Sequence, residues 1–134
     1  MPNLNPSHEQ LEQFARTMPP AVPILMLNLL RYNAQAAYPP GSRHSPCSGR
    51  EAYARYSREA LVHLRAVGAE VEVMAQAHAA LIAPPGEEWD ELLLVRYPSK
   101  DAFLSMIAND DYLAASEHRT AALADSRLIG TTRR

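Results

Sequence analysis

Three observations predict an α+β fold of ferredoxin-like topology, β-α-β-β-α-β, with a four-stranded antiparallel sheet and an extra N-terminal helix. The first is an apolar run, VPILMLNLLRY (22–32), followed after a long connection by a stretch with helical spacing. The second is a pair of strand-like runs, EVEVMAQAHAALIA (70–83) and WDELLLVRY (89–97), joined by the turn PPGEE. The third is another helical region that ends in a short strand, DSRLIGT (125–131). Right-handed crossovers put both helical connections on one face of such a sheet.

Each element has a local reason. Ser7 with Gln10 reads as a capping box that opens a short helix with Leu11, Phe14 and Ala15 on one side, and Pro19 and Pro20 end it. This helix belongs to an N-terminal extension, residues 1–21, ahead of the main domain at 22–134. Residues 33–49 form a long connection rich in proline, serine and glycine, and a loop of that length in a compact domain is usually functional or disordered. Ser48 and Glu51 make a second capping box, and Tyr53, Tyr56, Ala60, Leu64 and Val67 give one apolar stripe before Gly68 stops the helix. Period two marks the strand at 70–83. Pro98 and Ser99 begin a helix, Asp110 or Asp111 caps another, and the last strand follows.

Bulk composition bounds the function. A chain of 134 residues is one domain in size, and its formal charge of −2 leaves no basic excess to attract a phosphate backbone, so no nucleic-acid partner is expected. The single cysteine, Cys47, excludes an internal disulfide and argues for a reducing compartment. The N-terminus lacks the basic start and apolar run of a signal peptide, and no apolar run reaches the ~20 residues that span a bilayer. The expectation is a cytoplasmic protein with no membrane partner.

Strand parity suggests a pocket. With Leu25, Leu27 and Leu29 toward the helices, Ile24, Met26, Asn28 and Leu30 fall on the opposite face. The small apolar set of the second strand, also placed toward the helices, leaves Gln76 and His78 on that same opposite face. The charge on Arg96 argues for it too. A bare face containing Ile24, Met26, Leu92 and Leu94 is too apolar for water, which predicts a homodimer whose two sheets face each other. The candidate pocket is then Asn28, Gln76, His78 and Arg96 amid aliphatic residues, the composition a small organic ligand needs. There His78 shuttles a proton, Asn28 holds a carbonyl or oxyanion, and Arg96 binds a carboxylate or enolate oxygen. The alternative is that the four side chains only satisfy one another. Trp89 is either a ligand wall or an anchor of the turn. Arg119 is expected to pair with Asp125, and His118 is a second candidate base, behind His78.

The stretches PILMLNLLRY, WDELLLVRYPSKDAFLSMIANDDY and HRTAALADSRLIGT resemble the domain of unknown function 1330 family, over roughly residues 22–131. That family lies in the dimeric α/β-barrel superfamily of ferredoxin-like proteins. The resemblance implies the fold, a dimer and a small-molecule cavity. Relatives include cofactor-free monooxygenases, lactone isomerases and haem-degrading enzymes, and fold membership does not choose among them. An asparagine on the first strand, a tryptophan and a helical histidine are similar to the haem-degrading set, but here the histidine follows an additional helix, which argues against haem. His44 and Cys47 are too few for a closed zinc site, and no phosphate loop, nucleophile elbow or HExxH motif is present. Loop 33–49 is expected to fold over the cavity mouth, with Tyr38 as an apolar contact. The expectation is a dimeric enzyme that needs no cofactor and performs proton transfer or oxygenation on a carbonyl or enol compound. Its rival is a non-catalytic binding or interaction dimer.

Overall fold

The computed structural model describes residues 2–134. In chain order the elements are α1 (His8–Thr17), β1 (Ile24–Tyr32), α2 (Gly49–Ala66), β2 (Glu70–Gln76), β3 (Glu91–Tyr97), α3 (Lys100–Ile107), α4 (Asp110–Ala122) and β4 (Leu123–Thr131). The four strands form one antiparallel sheet in the order β2-β3-β1-β4, which is the predicted ferredoxin-like topology. Both capping boxes form. Ser7 and Gln10 exchange side-chain to backbone bonds at the start of α1, and Ser48 and Glu51 do the same for α2. Ser99 caps α3, and Asn109, not an aspartate, caps α4.

The strand β2 ends at Gln76 rather than at 83. Ladder pairing with β3 stops where Gln76 meets Glu91, and Ala77 makes one further bond to the Asp90 carbonyl. Beyond it the chain forms an exposed loop through Pro84 and Pro85, with Leu81 and Ile82 open to solvent. An irregularity between Val71 and Val73 also breaks the strict alternation of this strand.

The helix-covered face of the sheet is the reverse of the one parity suggested. Ile24, Met26 and Leu30 are buried in the core with Val95 and Tyr97, packed by Ala60, Phe103, Met106 and Tyr112 from the helices. Leu25, Leu27 and Leu29 take the uncovered face. Antiparallel partners share a face, so Leu92, Leu94 and Arg96 lie with them, as do Val73, Ala75 and Ile129. The sheet does carry an uncovered apolar surface, but Ile24 and Met26 are not part of it. Hydrophobicity alone could not orient β1, because this central strand is apolar on both sides.

The helix α1 packs over the C-terminal end of β4. Phe14 packs against Phe103 in a tilted pair with ring centroids 5.4 Å apart, Met18 joins the core, and a side chain at Gly130 would collide with both Phe14 and Met18. Lys100 closes the end of α1 by donating to the carbonyls of Ala15 and Met18. No helix among the described residues is long and apolar enough to cross a membrane.

One close approach ties the layers together. A Cβ at Gly49 would lie 2.1 Å from the Asn33 carbonyl oxygen and 2.6 Å from that of Ala122. We expect Gly49→Ala to cost at least about 2 kcal/mol, because the clash is with backbone and not with a movable side chain. Urea unfolding monitored by circular dichroism measures it, and a variant of unchanged midpoint would contradict the packing described.

Candidate functional site

The residues proposed from parity do not converge. Asn28 is buried beneath the helices, opposite Leu93 and Leu128, and its amide donates to the carbonyls of Met26 at 3.4 Å and Leu93 at 3.3 Å. Arg96 is on the other face, between Glu70 at 3.5 Å and Glu72 at 3.4 Å. Gln76 ends β2 and is exposed, and His78 is exposed in the loop beyond it. Trp89 is half-buried with the Arg127 guanidinium 5.0 Å from its ring centre, which fits an anchor at the base of the loop. Asp125 pairs with Arg127 at 3.1 Å and with the Asn3 amide, leaving Arg119 to other partners. The pocket fails for two reasons: β1 presents the opposite face, and β2 ends before His78.

The structure instead brings together a cluster on the outer side of the α2–α4 pair. His118 of α4 is buried, with its side chain 8% exposed. Its Nε2 lies 2.9 Å from a Glu59 carboxylate oxygen, and its Nδ1 lies 2.6 Å from the Tyr38 hydroxyl. A carboxylate only accepts, so Nε2 carries the hydrogen, and in the neutral ring Nδ1 then accepts from the tyrosine. Arg55, one helical turn before Glu59, donates to the same Tyr38 oxygen at 3.2 Å. The ring of His44 sits 4.4 Å from His118 and 5.1 Å from Tyr38. Its Nε2 faces Glu117 at 3.6 Å.

Local sequence explains how these groups meet. On α2, Arg55 and Glu59 are four residues apart and share the edge beside α4. Loop 33–48 is held down at several points: Asn33 and Ala37 bond to the carbonyls of Ala122 and Ala121, Ala36 bonds to Cys47, and Arg55 bonds to Ser45. The loop therefore lies over the helix pair, and Tyr38 reaches His118 as a hydrogen-bonding group rather than as the apolar contact expected. Beside the cluster is a cleft of about 460 Å³ lined by His44, Glu59, Val62, His63, Glu117 and His118.

Burial pushes the His118 imidazolium below the usual histidine range, and the nearby His44 and Arg55 act in the same direction, against the Glu59 carboxylate. The ring is accordingly neutral at physiological pH, free to accept a proton at Nδ1. No group of three or more histidine, cysteine, aspartate or glutamate side chains among the described residues is placed to hold a metal ion.

A second polar layer lies between helices and sheet. Tyr53, Tyr56, Tyr97 and Tyr112 are all within it, and the Tyr56 and Tyr112 hydroxyls are 2.7 Å apart. Burial raises Tyr53 to about 12 and raises Tyr56 and Tyr97 as well. The positive charge of Arg119 opposes the rise in all three, which puts the guanidinium close to this layer. Sequence reasoning missed both clusters. The Arg55–Glu59 spacing beside a histidine-bearing helix was the available signal for the first.

No protein-family model matches the chain, and no curated protein matches it. Among solved structures, the RPA0582 protein of unknown function from Rhodopseudomonas palustris is 36% identical, with 100% of this chain and 98% of that one covered at a TM-score of 0.90. Two more distant structures show the fold alone. SnoaB, a cofactor-independent oxygenase from Streptomyces nogalater, is 14% identical, with 85% of this chain and 95% of that one covered at a TM-score of 0.54. A dimeric protein of unknown function and ferredoxin-like fold from Bacteroides fragilis is 9% identical, with 83% and 96% covered at 0.51.

The lowered proton affinity of His118 has a measurable consequence. As pH falls through 6.5, the ordinary value for histidine, the unfolded chain takes up this proton before the folded one does. Stability therefore falls on acidification. We expect the melting temperature of the wild type to drop more steeply between pH ~7.5 and ~5.5 than that of His118→Gln. Parallel slopes in scanning calorimetry would contradict the burial-dominated shift.

Proposed function

We propose that this chain, which belongs to the same family as the RPA0582 protein of Rhodopseudomonas palustris, is a small-molecule enzyme that moves a proton on a carbonyl or enol compound. The observation that carries this reading is the chain Glu59–His118–Tyr38, with both ring nitrogens of a buried imidazole engaged and a cleft alongside. As the Tyr38 oxygen takes a proton from the carbon next to a carbonyl, its own proton passes to His118 Nδ1. The imidazolium so formed is held through Nε2 by Glu59, and Arg55 stabilises negative charge on the tyrosine oxygen. Return of the proton to another carbon completes an isomerisation, and return to the same carbon from bulk water gives exchange. Atoms and charge balance without a cofactor.

The shared fold of a cofactor-independent oxygenase supports a small organic substrate. It lends no weight to oxygenation over proton transfer, and the geometry here favours the latter. Asn28, His78 and Arg96 have no part in this mechanism. A second reading is favoured by Arg55, which also binds the Ser45 carbonyl at 2.9 Å and the Ser45 hydroxyl at 3.1 Å: the cluster is then a clasp that orders loop 33–48.

Deuterium exchange into a panel of small ketones and keto acids, followed by proton NMR, separates the two. The catalytic reading expects exchange above buffer that falls by ~10²–10⁴ in Tyr38→Phe, which keeps the ring but removes the proton carrier. No exchange above buffer, or a Tyr38→Phe rate equal to wild type, would defeat it.

The proposal extends to assembly. The uncovered face carries Leu25, Leu27, Leu29, Leu92, Leu94 and Ile129, a surface that water solvates poorly, and one relative of this fold is dimeric. We read it as the seat of a homodimer in a cytoplasmic protein, in keeping with the free thiol of Cys47 and with the resemblance to the domain of unknown function 1330 family. Sedimentation velocity is expected to give a dimer for the wild type and a monomer for Leu27→Arg. A monomeric wild type would rule the interface out.

A further inference from the structure

The side chain of Arg119 points away from the His118 cluster. Its Nη1 donates to the Leu4 carbonyl at 2.7 Å, and its positive charge lies near the Tyr53 hydroxyl. Among the described residues no carboxylate lies within ion-pair distance of it. A guanidinium carries five donors in a planar fork that a carboxylate matches two at a time. Here a neutral backbone carbonyl takes the place of such an anion, beside a layer of tyrosine rings.

The carbonyl comes from an arm, residues 2–6, that has no helix or strand of its own. Its contacts include the Asn3 amide on Asp125, the Ser126 hydroxyl on the Asn3 carbonyl, the Leu4 carbonyl on Arg119, and the Leu4 side chain against the cluster of Leu30, Tyr53 and Leu123. A segment outside helix and sheet near a chain end opens at lower cost than the hydrogen-bonded sheet it lies against.

We propose that Arg119 is the binding group for a small organic carboxylate with an aromatic or apolar body, and that the N-terminal arm occupies the site in the ligand's absence. On binding, the carboxylate replaces the Leu4 carbonyl and forms a two-pronged, charge-assisted pair with the guanidinium. The body of the ligand takes the place of the Leu4 side chain against Tyr53. The site is separate from the proton-transfer cluster, so either one stands without the other.

Benzoate is the probe, and benzyl alcohol its neutral counterpart. On the full chain, NMR titration with benzoate at millimolar concentration is expected to shift the Leu4 methyl resonances, and benzyl alcohol is expected to leave them in place. Ser126→Ala, which removes one anchor of the arm, is expected to bind benzoate about fivefold more tightly, because a larger fraction of molecules is open. Arg119→Met is expected to lose the response while keeping the fold. Leu4 methyls of the wild type that do not respond to benzoate, or equal responses to benzoate and benzyl alcohol, would overturn the proposal without recourse to any variant. Unchanged binding in a folded Arg119→Met would do the same.

Discussion

A backbone junction positions everything on the helix side of this molecule. At the end of β1, the Asn33 amide donates to the Ala122 carbonyl at 2.8 Å, its side chain to the Ala121 carbonyl at 3.1 Å, and its own carbonyl accepts from the Gly49 amide at 3.1 Å. Three segments meet there: the exit of β1, the first turn of α2 and the last turn of α4. Only a residue without a side chain fits at 49, and this lets α2 start directly against α4. Once the junction is set, loop 33–48 has both ends fixed and must return over the helix pair. Tyr38 is thereby delivered to His118, which α4 presents toward Glu59 on α2.

Two neighbouring residues on α4 serve opposite sides of the structure. His118 faces outward to a carboxylate and a phenol. Arg119 faces the tyrosine layer and the N-terminal arm. His118 is buried and Arg119 partly so, and in both the surroundings decide the chemistry. For His118, desolvation outweighs the nearby carboxylate and keeps the ring neutral. Arg119 donates to the neutral Leu4 carbonyl, and no carboxylate among the described residues lies within ion-pair distance of it.

Topology was legible in the sequence because local signals agreed with it. The two capping boxes fixed the starts of α1 and α2, the PPGEE turn marked the β2–β3 connection, and the helical spacing from Tyr53 to Val67 held. Orientation of β1 was not legible. Leu25, Leu27 and Leu29 are as apolar as Ile24, Met26 and Leu30, since one set packs under helices and the other forms the uncovered face. The Asn28 amide settled nothing, because two backbone carbonyls satisfy it within the core. The site was obscured for a different reason: its members come from residues 38, 55, 59 and 118, and only folding of the long loop brings them into reach. The histidine ranked second, His118, is the one the fold places among proton-transfer partners, whereas His78 extends past the end of its strand into solvent.

The proposed proton transfer needs one protonation state, a neutral His118 with its hydrogen on Nε2 toward Glu59 and a bare Nδ1 facing Tyr38. Nitrogen-15 NMR of the imidazole at neutral pH observes it directly. The expected result is an unprotonated Nδ1 whose resonance moves in Tyr38→Phe. A hydrogen on Nδ1, or a doubly protonated ring at neutral pH, would contradict it.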